Sequence, residues 1–243
     1  MNMEEQIHQP NNWVSRYQEY LGEFVYGGID GSVTTFAVVA GSAGASLDPS
    51  IIIILGFANL FADGFAMSVG SYLSAKSERA NYDKMKRQEY WEVDHLPEKE
   101  RQEIRDIYRE KGFEGELLEQ IVEVISADRD RWVDVMMKEE LEMIEDTKPP
   151  VMSGLITFVS FVLVGFVPLL IYVWDYVSPI HQTVDPFHVS VTLTAMAFAG
   201  IGLLKSVVNH SSKWKGVLET VTLGALAAGV AYVLGDVLEA MVL

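Results

Sequence analysis

Charge is confined to one segment of this chain. Residues 76–148 carry 14 of its 18 Lys and Arg and 22 of its 34 Asp and Glu, leaving 4 basic and 12 acidic side chains for the other 170 residues. A water-facing surface is ordinarily about a quarter charged, so those 170 residues cannot build one. A soluble single-domain enzyme is thereby excluded. The absence of cysteine excludes a disulfide scaffold and any thiolate-held zinc or iron–sulfur centre. A formal net charge of −16 argues against nucleic acid as a partner.

The uncharged residues fall into five long apolar runs, approximately 24–45, 51–75, 151–174, 187–204 and 217–238. Crossing a hydrocarbon core of roughly 30 Å takes about 20 apolar helical residues, and each run is read as a transmembrane helix. The last is the shortest in its uncharged centre, because Glu219 and Asp236 trim it to 220–235. The expected fold is all-α: a polytopic membrane protein with five transmembrane helices and a helical insert between the second and third. Its regions are 1–23, 24–75, 76–148 and 149–243. Residues 12–24 read as an amphipathic helix, with Trp13, Tyr17, Tyr20 and Phe24 near one face. That face suits the membrane interface and packing on the bundle equally. Lys and Arg number 1 before the first run, then 0, 14, 0, 3 and 0 in the successive connections and the C-terminus. By the positive-inside rule this alternation puts the N-terminus and residues 76–148 in the cytoplasm.

Within the insert, a continuation of the second span is expected to run to about Asp94, where Pro97 interrupts it. Further helices are expected from Pro97 to Lys111-Gly112, over 114–127 and over 130–146, in a three-helix layer. Glu89 and Glu92 are three apart, as are Glu100 and Glu103, and Met136, Met137 and Glu140 cluster on the last helix. Such spacing puts side chains on one helical face. Carboxylates alone suit hard cations, and thioether sulfur shifts the preference toward first-row transition metals such as ferrous iron. The same spacing is also what solvated acids and core methionines give. Glu92 and His95 match the Glu-x-x-His of di-iron bundles, but that motif is needed twice and occurs once, so His95 is expected to be a surface or capping residue.

Asp30 and Asp63 stand inside the first two spans. An ionisable group at the centre of a spanning helix costs about 2.5–3.5 kcal/mol even on a lenient scale and is normally kept for function. Gly27 and Gly31 flank Asp30 as a Gly-x-x-x-Gly pair that admits another helix closely, or loosens the backbone around an ion. Asp63 has a packing alternative, a polar network with Asn59 and Ser68. Met67, one turn beyond Asp63, is placed to supply sulfur to an ion at Asp30, although methionine in such a helix ordinarily packs. Lys205 and Asn209 end the fourth span, where Lys205 is expected to snorkel to the interface. His181 and His188 bracket an outer loop without a carboxylate partner at motif spacing, and no nucleophile–base pair supports a polytopic enzyme.

Residues 26–35, YGGIDGSVTT, and residues 58–68, ANLFADGFAMS, running into Ser74-Ala75-Lys76-Ser77-Glu78, resemble the signature segments of the vacuolar iron transporter family. With five spans and an insert after the second, the resemblance covers essentially residues 13–243. It implies a homodimer that moves Fe2+, and often Mn2+, out of the cytoplasm in exchange for protons, along a pathway at the dimer interface. It further implies that Asp30 and Met67 ligate metal within the membrane, and that Glu89, Glu92, Glu100, Glu103, Met136, Met137 and Glu140 do so in the insert. Zn2+ and Co2+ are further candidate cargo. The short polar leader fits prokaryotic relatives and a plasma membrane, or a vacuolar-type membrane in a eukaryote. The rival reading is a membrane-anchored metal buffer or sensor, which gives no reason to keep Asp30 and Asp63 in the bilayer.

Overall fold

A computed structural model describes residues 19–178, 185–208 and 211–242, which places most of the expected 12–24 helix and also His181 and Asn209 outside the described residues. The described chain is helical without strands: α1 (Leu21–Gly44), α2 (Pro49–His95), α3 (Pro97–Glu110), α4 (Gly115–Ser126), α5 (Arg129–Glu139), α6 (Pro150–Gly165), α7 (Leu170–Val177), α8 (Pro186–Val208) and α9 (Lys213–Val242). Five segments are long and apolar enough to cross a membrane: α1, α2, the 150–177 segment, α8 and α9. The protein is a polytopic membrane protein. Two compact units divide it, one comprising residues up to 72 and from 150 onward, the other residues 73–149.

In the first unit α1 is the central element, and small residues bring its neighbours onto its backbone. A Cβ on Gly27 would lie 2.6 Å from the Thr157 carbonyl oxygen, and one on Gly31 would collide with the backbone of Phe161. The Gly-x-x-x-Gly pair therefore receives α6. At the other end Gly41 and Gly44 meet the α9 backbone at Ala231 and Tyr232. Phe36, Val39, Ile52, Leu169 and Phe198 close the core between these contacts. Large apolar side chains such as Leu55, Phe61, Phe65, Leu163, Leu218 and Leu226 point outward, as a lipid-facing surface requires.

The third span is not the continuous helix expected over 151–174. It breaks after Gly165 into a 3-10 turn, Val167–Leu169, and resumes as α7. Pro168 is the cause: it brings no N–H for the carbonyl one turn back. The Leu169 N–H donates to Phe166, and the buried Ser190 hydroxyl on α8 donates to the Pro168 carbonyl at 2.7 Å. Lys205, at the end of the fourth span, donates to Glu219 on α9 at 3.1 Å. His188 does have a carboxylate partner, Asp185 at 3.2 Å, because Asp185 caps the start of α8 through the Phe187 N–H and lies three residues before His188.

The second unit begins within α2, a single unbroken helix of 47 residues. Its C-terminal part contributes Tyr82 and Val93 to a core completed by Ile104, Val122, Ile125, Trp132, Val133, Met136 and Met137. Leu96 interrupts the chain ahead of Pro97, and Gly112, at φ +92°, ends the next turn. Asp128 accepts the Arg131 N–H and caps α5. The expected helix over 130–146 ends early, at Glu139: Glu142 has a φ of +51°, a left-handed conformation in which the helix cannot continue.

Candidate metal centre

Three glutamates converge in the insert. Glu89 on α2, Glu100 in the first turn of α3 and Glu140 at the C-cap of α5 each offer a carboxylate oxygen, and the three oxygens lie within 4.8 Å of one another. The break at Leu96 makes this possible, because it folds the start of α3 back beside the α2 turn that carries Glu89. Glu140, still helical in backbone at the C-cap of α5 with its N–H bonded to the Met136 carbonyl at 3.0 Å, comes in from the third side. Glu89 is 2% exposed and Glu100 fully buried, whereas Glu140 opens to solvent.

The buried carboxylates lack hydrogen-bond partners. Both Glu100 oxygens, Oε2 of Glu89 and Oε2 of Glu103 accept no hydrogen bond among the described residues. Buried acceptors of one sign without hydrogen bonds raise the free energy of the folded protein, and a cation lowers that penalty. Burial, followed by the charges of Glu140, Glu92 and Glu103, pushes Glu89 up to about 7. Burial and then Glu103 push Glu100 up to about 8. Burial and then Glu103 also raise Glu140. Glu92 and Glu103 thus belong to the same electrostatic cluster. Met136 and Met137 are fully buried core members immediately before the Glu140 turn.

Lys99 was not singled out from the sequence. Its ammonium lies 2.8 Å from Glu103 and 3.9 Å from Glu100. Its position directly before Glu100 was the available signal. His95 is exposed, stacked on Trp91 at 4.6 Å and bonded to the Trp91 carbonyl, as a surface residue.

Within the spans, Asp30 is half-buried on α1, and its carboxylate has no hydrogen bond or ion pair among the described residues. Asp63 on α2 is close enough to interact with it electrostatically. Met67 is half-buried on α2 one turn beyond Asp63. Asn59 does not complete the expected polar network: its buried Nδ2 is unpartnered.

A model of the VIT family matches residues 21–236. Over 227 residues the chain is 32% identical to the vacuolar iron transporter of Plasmodium falciparum, covering 91% of this chain and 83% of the relative. It is 32% identical to the vacuolar iron transporter of Toxoplasma gondii, covering 95% and 78%. It is 31% identical to vacuolar iron transporter 1 of Arabidopsis thaliana, covering 91% and 87%.

Proposed function

Because the chain belongs to the VIT family, we propose that it carries ferrous iron, and manganese with it, out of the cytoplasm in exchange for protons. The relatives that carry iron in their names motivate the cargo. The observation that carries the reading is the convergence of Glu89, Glu100 and Glu140, two of them buried with unpartnered oxygens. An all-carboxylate pocket of this kind gathers divalent cations, and Glu92 and Glu103 extend its field. Met136 and Met137, buried in the core within one turn of Glu140, are the soft donors proposed for it, and such sulfur would favour iron and manganese, with cobalt and zinc as competitors.

Asp30, Asp63 and Met67 form the intramembrane station. A carboxylate ligates metal only after losing its proton, so metal and proton compete there, and that competition couples their opposite movements. A second copy of the chain completes the station. Two half-buried carboxylates left facing hydrocarbon would each be costly, and a homodimer that covers α1 and α2 removes the cost. The N-terminus and the insert face the cytoplasm, in a prokaryotic plasma membrane.

The test is metal flux into proteoliposomes with and without an imposed pH gradient. Wild type is expected to move Fe2+ and Mn2+ in a gradient-dependent way, and Asp30→Asn is expected to fold but carry neither. Undiminished flux in that variant refutes the mechanism.

A further inference from the structure

Two cavities meet at the end of the bundle where α1 gives way to α2. One, of about 400 Å³, is walled by hydrocarbon from Phe36 and Ala40 of α1, Val191 and Ala195 of α8, and Ala225 and Ala228 of α9. The other, of about 230 Å³, has a polar wall that includes Ser46 and Asp185. Phe187 and Tyr232 line both, with their rings stacked 5.6 Å apart. The two therefore adjoin, with a step in polarity at a shared aromatic pair, the arrangement found where a membrane's hydrocarbon gives way to its headgroups. Alanine on all three helices leaves the apolar chamber open.

The polar mouth is negative. Asp185 lines it, and Glu239 accepts the hydroxyl of its lining residue Ser46 at 3.3 Å. His188, held by Asp185 at 3.2 Å, is the nearby basic side chain. No Lys or Arg occurs in residues 17–75, 149–204 or 216–243, the stretches that build this end. An anionic headgroup is repelled there and an ammonium attracted. A second copy docking through the same face would bring like charges together. We infer that this is a binding site for one membrane phospholipid with a protonated amine headgroup, an acyl chain in the apolar chamber and the ammonium in the acidic mouth.

The inference is independent of which ion the protein moves. It is tested by native mass spectrometry of the full-length chain, purified in mild detergent from membranes that contain both amine-headed and anionic phospholipids. Wild type is expected to retain one phospholipid per chain, enriched in the amine-headed class relative to the bulk membrane. Ala195→Leu with Ala225→Leu fills the chamber and is expected to lower occupancy about tenfold, with helicity by circular dichroism unchanged. Glu239→Gln, at a partly buried position, is expected to reduce the preference for amine over anionic lipid about threefold. The proposal is overturned by bound lipid that mirrors the bulk composition, by equal occupancy in the filled variant, or by a filled variant that loses its partner copy instead of its lipid. Should the filled variant not fold, unchanged headgroup preference in Glu239→Gln overturns it alone.

Discussion

Lys99 is the side chain whose role the structure makes plain. With its ammonium 2.8 Å from Glu103 and 3.9 Å from Glu100, it is the tethered counter-charge of the acidic cluster, and the divalent ion proposed for that cluster would have to displace it. Lys99→Gln is expected to tighten Mn2+ binding to the full-length protein in detergent several-fold, as read by calorimetry. Weaker binding would make Lys99 an organiser of the site instead. The raised glutamates predict a pH dependence with a definite sign. Glu89 and Glu100 hold protons more tightly in the folded insert than in the unfolded chain, so the folded state carries more protons between the ordinary glutamate value of 4.5 and about 8. Their contribution to stability is complete at acid pH and is lost as pH rises through about 7 to 8. Hydrogen-exchange protection factors of the insert in chelator, referred to the intrinsic exchange rate at each pH, should therefore fall as pH rises toward about 8, and added Mn2+ should restore them. Candidate ligands of this type were readable from spacing, because helical periodicity alone sets which glutamates share a face. Which of them converge was not, since the approach of Glu89, Glu100 and Glu140 to within 4.8 Å depends on how three separate helices pack.

Helices declared themselves unevenly. The apolar runs were unmistakable because a bilayer demands length and composition together, and Pro97 and Gly112 marked the ends of α3 in the expected way. The break in the third span was missed, although Pro168 stands in the middle of it: an apolar run looks the same to a hydropathy reading whether or not its backbone is continuous. The structure stabilises that break with the Ser190 hydroxyl, buried and 2.7 Å from the Pro168 carbonyl. Ser190→Ala is expected to cost about 1–2 kcal/mol, seen as a lower melting temperature in detergent. Packing of α1 against α6 gives a second expectation. Gly27→Ala would force a methyl to 2.6 Å from the Thr157 oxygen, which is main chain and cannot rotate away. A loss of about 1–3 kcal/mol follows, whereas Gly70→Ala, with open space around it, should be close to neutral.

Taken whole, the molecule separates its electrostatics from its hydrophobicity: 14 basic and 22 acidic residues leave the 76–148 segment at a net −8, while the spans are nearly uncharged. Cation capture should accordingly be steered by field. The association rate of Mn2+ is expected to fall about several-fold between 10 and 150 mM salt in stopped-flow measurements, with a smaller change in the dissociation rate. The backbone contacts along α1 carry a different consequence. Gly27 and Gly31 bear directly on α6, and Gly41 and Gly44 on α9, with no side chain between to act as a cushion. Such a seam has no slack, so α1 cannot tilt by itself. Any stroke that turns Asp30 from one face of the bilayer to the other would have to swing α1, α6 and α9 together as a single lever, and with them the membrane part of α2, whose Ser68 carbonyl a Cβ on Gly154 of α6 would meet at 2.7 Å.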